Sequence, residues 1–285
     1  MKVCPGIEEI RAASRAARRG GKSLGLVPTM GALHAGHLAL VRAAKARCDL
    51  VVASIFVNPL QFAPNEDLAK YPRNFERDCE LLQQEGIDFV FAPSVAEMYS
   101  RGAVTYVAVE GLSDRLCGRS RPGHFRGVTT VVSKLFNIVE PDRAFFGQKD
   151  AAQVTIIRRM VRDLNIPVQI VVCPIVRETD GLAMSSRNAY LNAEQRKSAL
   201  VLYRALMAVQ ERFDHGERKV DKLIEAGGQV FAAVPGVKLD YLEIVDTETL
   251  EPVDDLSRGG LVAVAALVGG TRLIDNIVLA APQST

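Results

Sequence analysis

The 285-residue chain has no hydrophobic stretch of membrane-spanning length. Its longest clear apolar run, Leu261 to Val268, falls far short of the roughly 20 residues a spanning helix needs. The segment Met1 to Gly20 is too charged for a secretory leader. Cysteine is sparse and odd in number: Cys4, Cys48, Cys79, Cys117 and Cys173 are scattered and form no Cys-x-x-Cys. That pattern argues against a disulfide scaffold and against a structural zinc site, and it fits a reducing compartment. A large excess of charge is missing too. With a formal net charge of +2 there is no broad basic surface, so nucleic acid and anionic membrane are not expected partners. No internal repeat or low-complexity tract is present. The expectation is a cytoplasmic protein with neither leader nor anchor.

What is present is an ordinary globular balance, 48% hydrophobic and 24% charged residues, in a chain long enough for one large domain or two of usual size. Strand-like and helix-like segments alternate through the first 176 residues. Strands are predicted at Ser23 to Thr29, Leu50 to Val57, Ile87 to Ala92, Val104 to Val109, Arg143 to Phe146 and Val168 to Val176. Helices are predicted at Ile7 to Arg19, His37 to Cys48, Asn74 to Glu85, Gly127 to Val139 and Asp150 to Leu164. Such alternation implies βαβ units and a parallel sheet covered by helices on both faces, with ligands beyond the strands' carboxyl ends. After a loop from Arg177 to Asn192 the pattern changes. Helices are predicted near Ala193 to Phe213 and Val220 to Phe231, then strands at Lys238 to Val245, Leu261 to Leu267 and Arg272 to Val278. Gly269-Gly270 between the last two is a hairpin signal. The fold class expected is α/β: a Rossmann-like parallel-sheet domain over residues 1–176, followed by a smaller α+β domain over residues 177–285.

Two of the four histidines lie in Pro28-Thr29-Met30-Gly31-Ala32-Leu33-His34-Ala35-Gly36-His37, where a strand gives way to a helix. The glycines at 31 and 36 allow backbone angles and close ligand approach that a side chain would block. A helix start supplies unpaired N–H groups and the positive end of the macrodipole, and imidazoles beside it can stabilise phosphoryl charge. A zinc half-site is disfavoured, because the Glu of His-Glu-x-x-His is missing. Either histidine taken alone also reads as an ordinary helix-start residue.

Four further segments carry chemistry. Asn58-Pro59-Leu60-Gln61-Phe62 follows the second strand, and the Gln61 amide suits hydroxyl and carboxylate groups, or equally a local turn. Gly118 to Gly127 holds Arg119, Arg121, His124 and Arg126 at a helix start, an anion site or a solvated basic loop. Gly147-Gln148-Lys149-Asp150 repeats the strand, glycine, helix-start order, with Asp150 also readable as a helix cap and Gln153 three residues on. Asp180 to Asn188, with Met184-Ser185-Ser186-Arg187 inside it, offers hydroxyls, amides and an arginine to a triphosphate, or is a hydrophilic linker.

The ordered set Pro28-Thr29-Met30-Gly31, Phe56 to Phe62, Tyr71-Pro72-Arg73, Arg121 to Phe125, Phe146 to Asp150, Met184 to Asn188 and Tyr241-Leu242-Glu243 resembles the pantothenate synthetase (pantoate–β-alanine ligase) family. That family lies within the His-x-Gly-His nucleotidyltransferases. The resemblance covers essentially the whole chain. It implies an ATP-dependent ligase that joins pantoate to β-alanine through a pantoyl-adenylate, releasing pyrophosphate and AMP. It implies catalytic roles for His37, the proton donor, His34 and Lys149. ATP contacts fall by correspondence on Met30, Gly31, Ala32, Leu33, His34, Ala35, Gly36, His37, Gly147, Gln148, Lys149, Asp150, Val176, Met184, Ser185, Ser186 and Arg187. Pantoate and β-alanine contacts fall on Gln61, Gln153, Met30 and Asn58. The resemblance further implies Mg²⁺ on the ATP phosphates rather than a protein metal site, no tightly bound organic cofactor, a mobile lid over Phe62 to Asn74, residues 177–285 acting as a lid domain, and a homodimer. Another adenylyl- or cytidylyltransferase would share His-x-Gly-His, but the Asn58 to Phe62 and Phe146 to Asp150 segments argue against it.

Overall fold

A computed structural model describes residues 1–64 and 66–281. Asn65, inside the expected lid, and residues 282–285 of the expected second domain lie outside the described residues. In chain order the elements are β1 (Lys2–Cys4), α1 (Ile7–Arg19), β2 (Leu24–Thr29), α2 (Ala35–Lys45), β3 (Leu50–Ile55), α3 (Phe75–Gln84), β4 (Phe89–Phe91), α4 (Val95–Met98), α5 (Cys117–Ser120), α6 (His124–Val139), β5 (Arg143–Gly147), α7 (Ala151–Asp163), β6 (Gln169–Cys173), α8 (Ala193–Ser198), α9 (Leu200–Asp214), α10 (Val220–Ala232), β7 (Val237–Val245), β8 (Gly259–Val268) and β9 (Thr271–Ala280). They form two compact units. The first comprises Met1–Ser113, Arg121–Gly147 and Ile156–Pro174; the second comprises Asp114–Ser120, Gln148–Thr155 and Ile175–Thr285.

The first unit is built on a six-stranded parallel sheet in the order β1-β4-β3-β2-β5-β6. Apolar runs such as Leu24-Gly25-Leu26-Val27 and Leu50-Val51-Val52-Ala53 suit strands buried on both faces. Val27, Val51, Ala53, Val90 and Phe145 share one core with Leu40, Val41 and Ala44 of α2. Side chains alternate along a strand, so Leu24 and Leu26 turn to the opposite face of β2, the strand that α1 and α6 also contact. Helix α1 buries Ile10, Ser14 and Ala17 along one stripe, with Glu8 and Glu9 in its first turn and Arg18 and Arg19 in its last, matching the helix dipole. Strand order reverses at β2, whose neighbours are β3 on one side and β5 on the other. The carboxyl ends of β2 and β5 therefore flank the switch point where ligands of such sheets bind.

The second unit carries the antiparallel sheet β7-β8-β9. Gly269 and Gly270, both at positive φ, join β8 to β9 in a two-residue turn. One face of this sheet, with Val262, Val264, Ala266 and Val268, packs against Leu202, Leu206 and Val209 of α9 and Leu223 and Phe231 of α10. The helical stretch expected at 193–213 is two helices, α8 and α9, meeting at Ala199. Among the described residues no helix is long and apolar enough to cross a membrane.

Two strand expectations are corrected. β1, only three residues long, is an edge strand hidden inside the charged N-terminal segment. Val104 to Val109 is not a strand: Val104 is 82% exposed, and the backbone at Val107 is held by side chains instead of a ladder. The Val107 amide donates to Thr130 Oγ1 at 3.0 Å, and Thr129 Oγ1 donates to the Val107 carbonyl at 2.6 Å. Once α6 supplies those partners, the segment's polar groups need no neighbouring strand. Thr130→Val is expected to cost about 1 kcal/mol, read as roughly fivefold faster amide exchange at Val107 with β2 unchanged. An unaltered Val107 rate would show that the hydroxyl does not hold it.

Candidate active site

The first unit's site starts where β2 runs out. Thr29 Oγ1 donates to the Ser54 carbonyl at 2.7 Å and accepts from the Gly31 amide at 3.2 Å. The chain then turns through left-handed backbone at both Gly31 (φ 81) and Ala32 (φ 51), while Gly36 lies within the first turn of α2. This turn is anchored from α3: Asp78, 2% exposed, accepts from the Ala32 amide at 2.9 Å and the Leu33 amide at 2.8 Å. Burial pushes the Asp78 carboxyl up despite these two donors.

His34 is the N-cap of α2, and the two histidines cap the helix reciprocally. His34 Nδ1 accepts from the Gly36 amide at 3.1 Å, His37 Nδ1 accepts from the His34 amide at 3.3 Å, and the ring centroids are 4.1 Å apart. A ring nitrogen that accepts carries no proton, so each neutral imidazole bears its proton on Nε2. Engaging both Nδ1 atoms at the helix start thus puts the ring proton on Nε2, a donor of the kind that suits phosphate oxygens.

Asn58 and Gln61 follow β3. The Asn58 side chain, 1% exposed, is fully committed: Nδ2 donates to Gln61 Oε1 at 3.1 Å and to the Gly127 carbonyl at 3.0 Å, while Oδ1 accepts from Leu60 N at 3.3 Å and Tyr99 Oη at 2.8 Å. It thereby aims the Gln61 carboxamide, whose Nε2 lies 3.0 Å from Met30 Sδ. The turn 59–61 also rests directly on α6. A Cβ at Gly127 would lie 2.3 Å from the Leu60 carbonyl oxygen and 2.6 Å from the Gln61 nitrogen. His124 Nε2 lies 3.0 Å from Arg121 Nη1, which only donates, so His124 accepts there and its Nδ1–H donates to the Gln61 carbonyl at 2.8 Å. Arg121 grips Glu66 through two bonds of 2.7 and 2.5 Å. Burial works to raise the Glu66 carboxyl, but the Arg121 guanidinium outweighs it and holds the group below its usual range.

In the second unit, Lys149 and Ser185 line one cleft with Asn188 and Asp275. Asp275 is buried, which raises its carboxyl, and Arg177 opposes that through bonds of 2.6 and 3.0 Å. Ser185 caps the turn Ser186–Tyr190 by accepting from the Arg187 amide, and the Met184 amide donates to the Val176 carbonyl at 3.0 Å. Gln148, Lys149 and Asp150 form one turn of 3₁₀ helix between β5 and α7, and Gln153 lies in the first turn of α7. Within the first unit the structure thus brings Met30, Asn58 and Gln61 together and pairs His34 with His37; within the second it sets Lys149 and Ser185 on one cleft and ties Met184 to Val176 and Arg187 to Ser185. Sequence reading missed Asp78, Glu66, Tyr99, Arg177, Asp275 and Asn276. The one visible signal was Asp275-Asn276 breaking an apolar strand.

The lowered Glu66 carboxyl has a signed consequence. Its stabilisation is present above the unfolded-state value of about 4.3 and is lost as pH falls through the folded value. The melting temperature of Glu66→Gln is expected to lie below that of the unaltered chain at pH 7, the gap narrowing as pH falls under about 4.3 and closing below the folded value. A gap independent of pH would contradict this assignment.

The pantoate-beta-alanine ligase family model matches residues 2–278. The pantothenate synthetase of Koribacter versatilis (strain Ellin345) is 63% identical over 281 residues, covering 99% of this chain and 97% of that protein. That of Thermotoga neapolitana is 58% identical, covering 98% and 100%. The crystal structure of the Thermus thermophilus enzyme superposes with a TM-score of 0.93 at 51% identity, over 97% of this chain and 99% of that one. A pantoate-beta-alanine ligase from Francisella tularensis, complexed with beta-gamma ATP and beta-alanine, gives 0.81 at 32% identity over 98% and 97%. Matched by the family model and by these relatives over nearly its whole length, the chain belongs to the pantoate-beta-alanine ligase family.

Proposed function

We propose that this chain condenses pantoate with β-alanine to pantothenate, consuming ATP and releasing AMP and pyrophosphate. The observation that supports this reading best is the contact between Gln61 and Met30. It sets a carboxamide suited to a hydroxy-acid against the residue that opens the histidine-capped helix start, so acid recognition and phosphate recognition adjoin within the first unit.

A carboxylate is a poor electrophile, so it is activated first. A pantoate carboxylate oxygen attacks the α-phosphorus, the bond to pyrophosphate breaks, and a pantoyl-adenylate results. The β-alanine amine then attacks the acyl carbon, AMP leaves with the bonding pair, and the amine gives up its proton. No covalent enzyme intermediate is needed; the protein supplies orientation and charge stabilisation. In this reading the Nε2–H groups of His34 and His37 and the α2 amides meet phosphate oxygens, with His37 the proton donor, and Lys149 is the third catalytic group. ATP contacts are assigned to Met30 through His37, Gly147 through Asp150, Val176 and Met184 through Arg187. Gln61, Gln153 and Met30 are assigned to pantoate and β-alanine, with Asn58 acting through Gln61. Among the described residues no group of three or more His, Cys, Asp or Glu is placed to hold a metal ion. The Mg²⁺ of this reading is assigned to the ATP phosphates, where it would supply charge neutralisation. Residues 1–176 are read as the ATP- and pantoate-binding domain and 177–285 as the smaller one, in a cytoplasmic homodimer.

Incubation with Mg-ATP and pantoate should give AMP and pantothenate only when β-alanine is added. Absence of that dependence would overturn the ligase reading. His37→Ala or Lys149→Ala should slow adenylate formation about 100-fold or more with the fold kept, whereas near-normal single-turnover rates in a folded variant would remove that residue from the site. Gln61→Ala should raise the KM for pantoate, with the rate recovered at high pantoate; an unchanged pantoate response would remove Gln61.

A further inference from the structure

Strand β9 reads Thr271-Arg272-Leu273-Ile274-Asp275-Asn276-Ile277-Val278-Leu279-Ala280, with two polar residues in the middle of an apolar run. Both are buried, Asp275 at 3% and Asn276 at 2% exposure. The register sets Asp275 beside Val264 and Asn276 beside Ala263, on opposite faces of the sheet. A buried polar side chain without partners costs about 1–3 kcal/mol, so each must be matched by something specific. Asp275 is matched by Arg177, which also donates to the Gly181 carbonyl at 3.0 Å.

Asn276 is matched entirely by two consecutive residues. Its Nδ2 donates to the Gln148 carbonyl at 2.9 Å and to the Lys149 carbonyl at 2.9 Å, and its Oδ1 accepts from Gln148 Nε2 at 3.0 Å. All three bonds fall on the single turn that carries Lys149. An isolated 3₁₀ turn holds itself poorly, and an asparagine contributes little to a strand's own pairing. The carboxamide is spent on the path of residues 148 and 149.

We propose that Asn276 is a positioning residue for nucleotide activation: it fixes the backbone at Lys149 so that the ammonium meets the ATP phosphates already ordered. The inference rests on the assignment of Lys149 to ATP. A side chain held in place beforehand loses less freedom on binding, and misplacement by about 1 Å can cost on the order of 100-fold in rate.

The test is a double-mutant cycle on pantoate-dependent ATP–pyrophosphate exchange, using Mg-ATP and the full chain. Asn276→Ala should slow exchange roughly tenfold to 100-fold, while amide formation from pre-formed pantoyl-adenylate stays near normal. In the Lys149→Ala background the same substitution should change exchange by less than about twofold, because the group it positions is gone. Equal losses in both backgrounds, or an equal loss in the amide-forming step, would overturn the proposal and leave Asn276 a merely structural residue. Normal exchange in Lys149→Ala alone would instead overturn the Lys149 assignment, and the inference with it. Should Asn276→Ala melt below the assay temperature, Asn276→Ser, which keeps one donor, carries the same cycle.

Discussion

A carboxylate withdrawn from water must find donors, and Asp78 finds the amides of Ala32 and Leu33. That pair of bonds sets the course of the whole first site. It holds the chain in its left-handed turn as it leaves β2, which brings His34 to the cap position of α2. The cap position in turn decides which nitrogen of each imidazole is occupied. A chemical property, the location of a ring proton, is thus set three steps away by the burial of an acid on another helix.

The second unit solves a similar problem with a neutral group. Asn276 is buried in a strand that would pack well with an apolar residue there, and its carboxamide serves the backbone at Gln148 and Lys149. In both units a side chain remote in sequence shapes a loop to which the proposed chemistry is assigned.

This division explains what could be read from the sequence. The strands from 24, 50, 143 and 169 were legible because continuous apolar runs bounded by turn residues have few alternatives, and the hairpin because Gly269-Gly270 demands a tight turn. Val104 to Val109 looked equally strand-like. Its partners turned out to be two threonine hydroxyls on α6, which no local pattern announces. The site divides the same way. His34, His37, Gln61 and Lys149 stand out because their neighbours in sequence mark strand exits, whereas Asp78, Tyr99 and Asn276 act across 41 to 128 residues. Such partners become visible only when the chain is folded.

The contact at Gly127 has a mechanical meaning. The obstruction to a larger residue there is backbone, the Leu60 carbonyl and the Gln61 nitrogen, so no change of rotamer relieves it. Asn58 bonds to the Gly127 carbonyl, and Arg121 and His124 both bond to the Gln61 carbonyl. The start of α6 and the 59–61 turn are therefore one lever. Any force on the arginine loop at 121 is felt as a displacement of the glutamine amide, and neither can be retuned without the other.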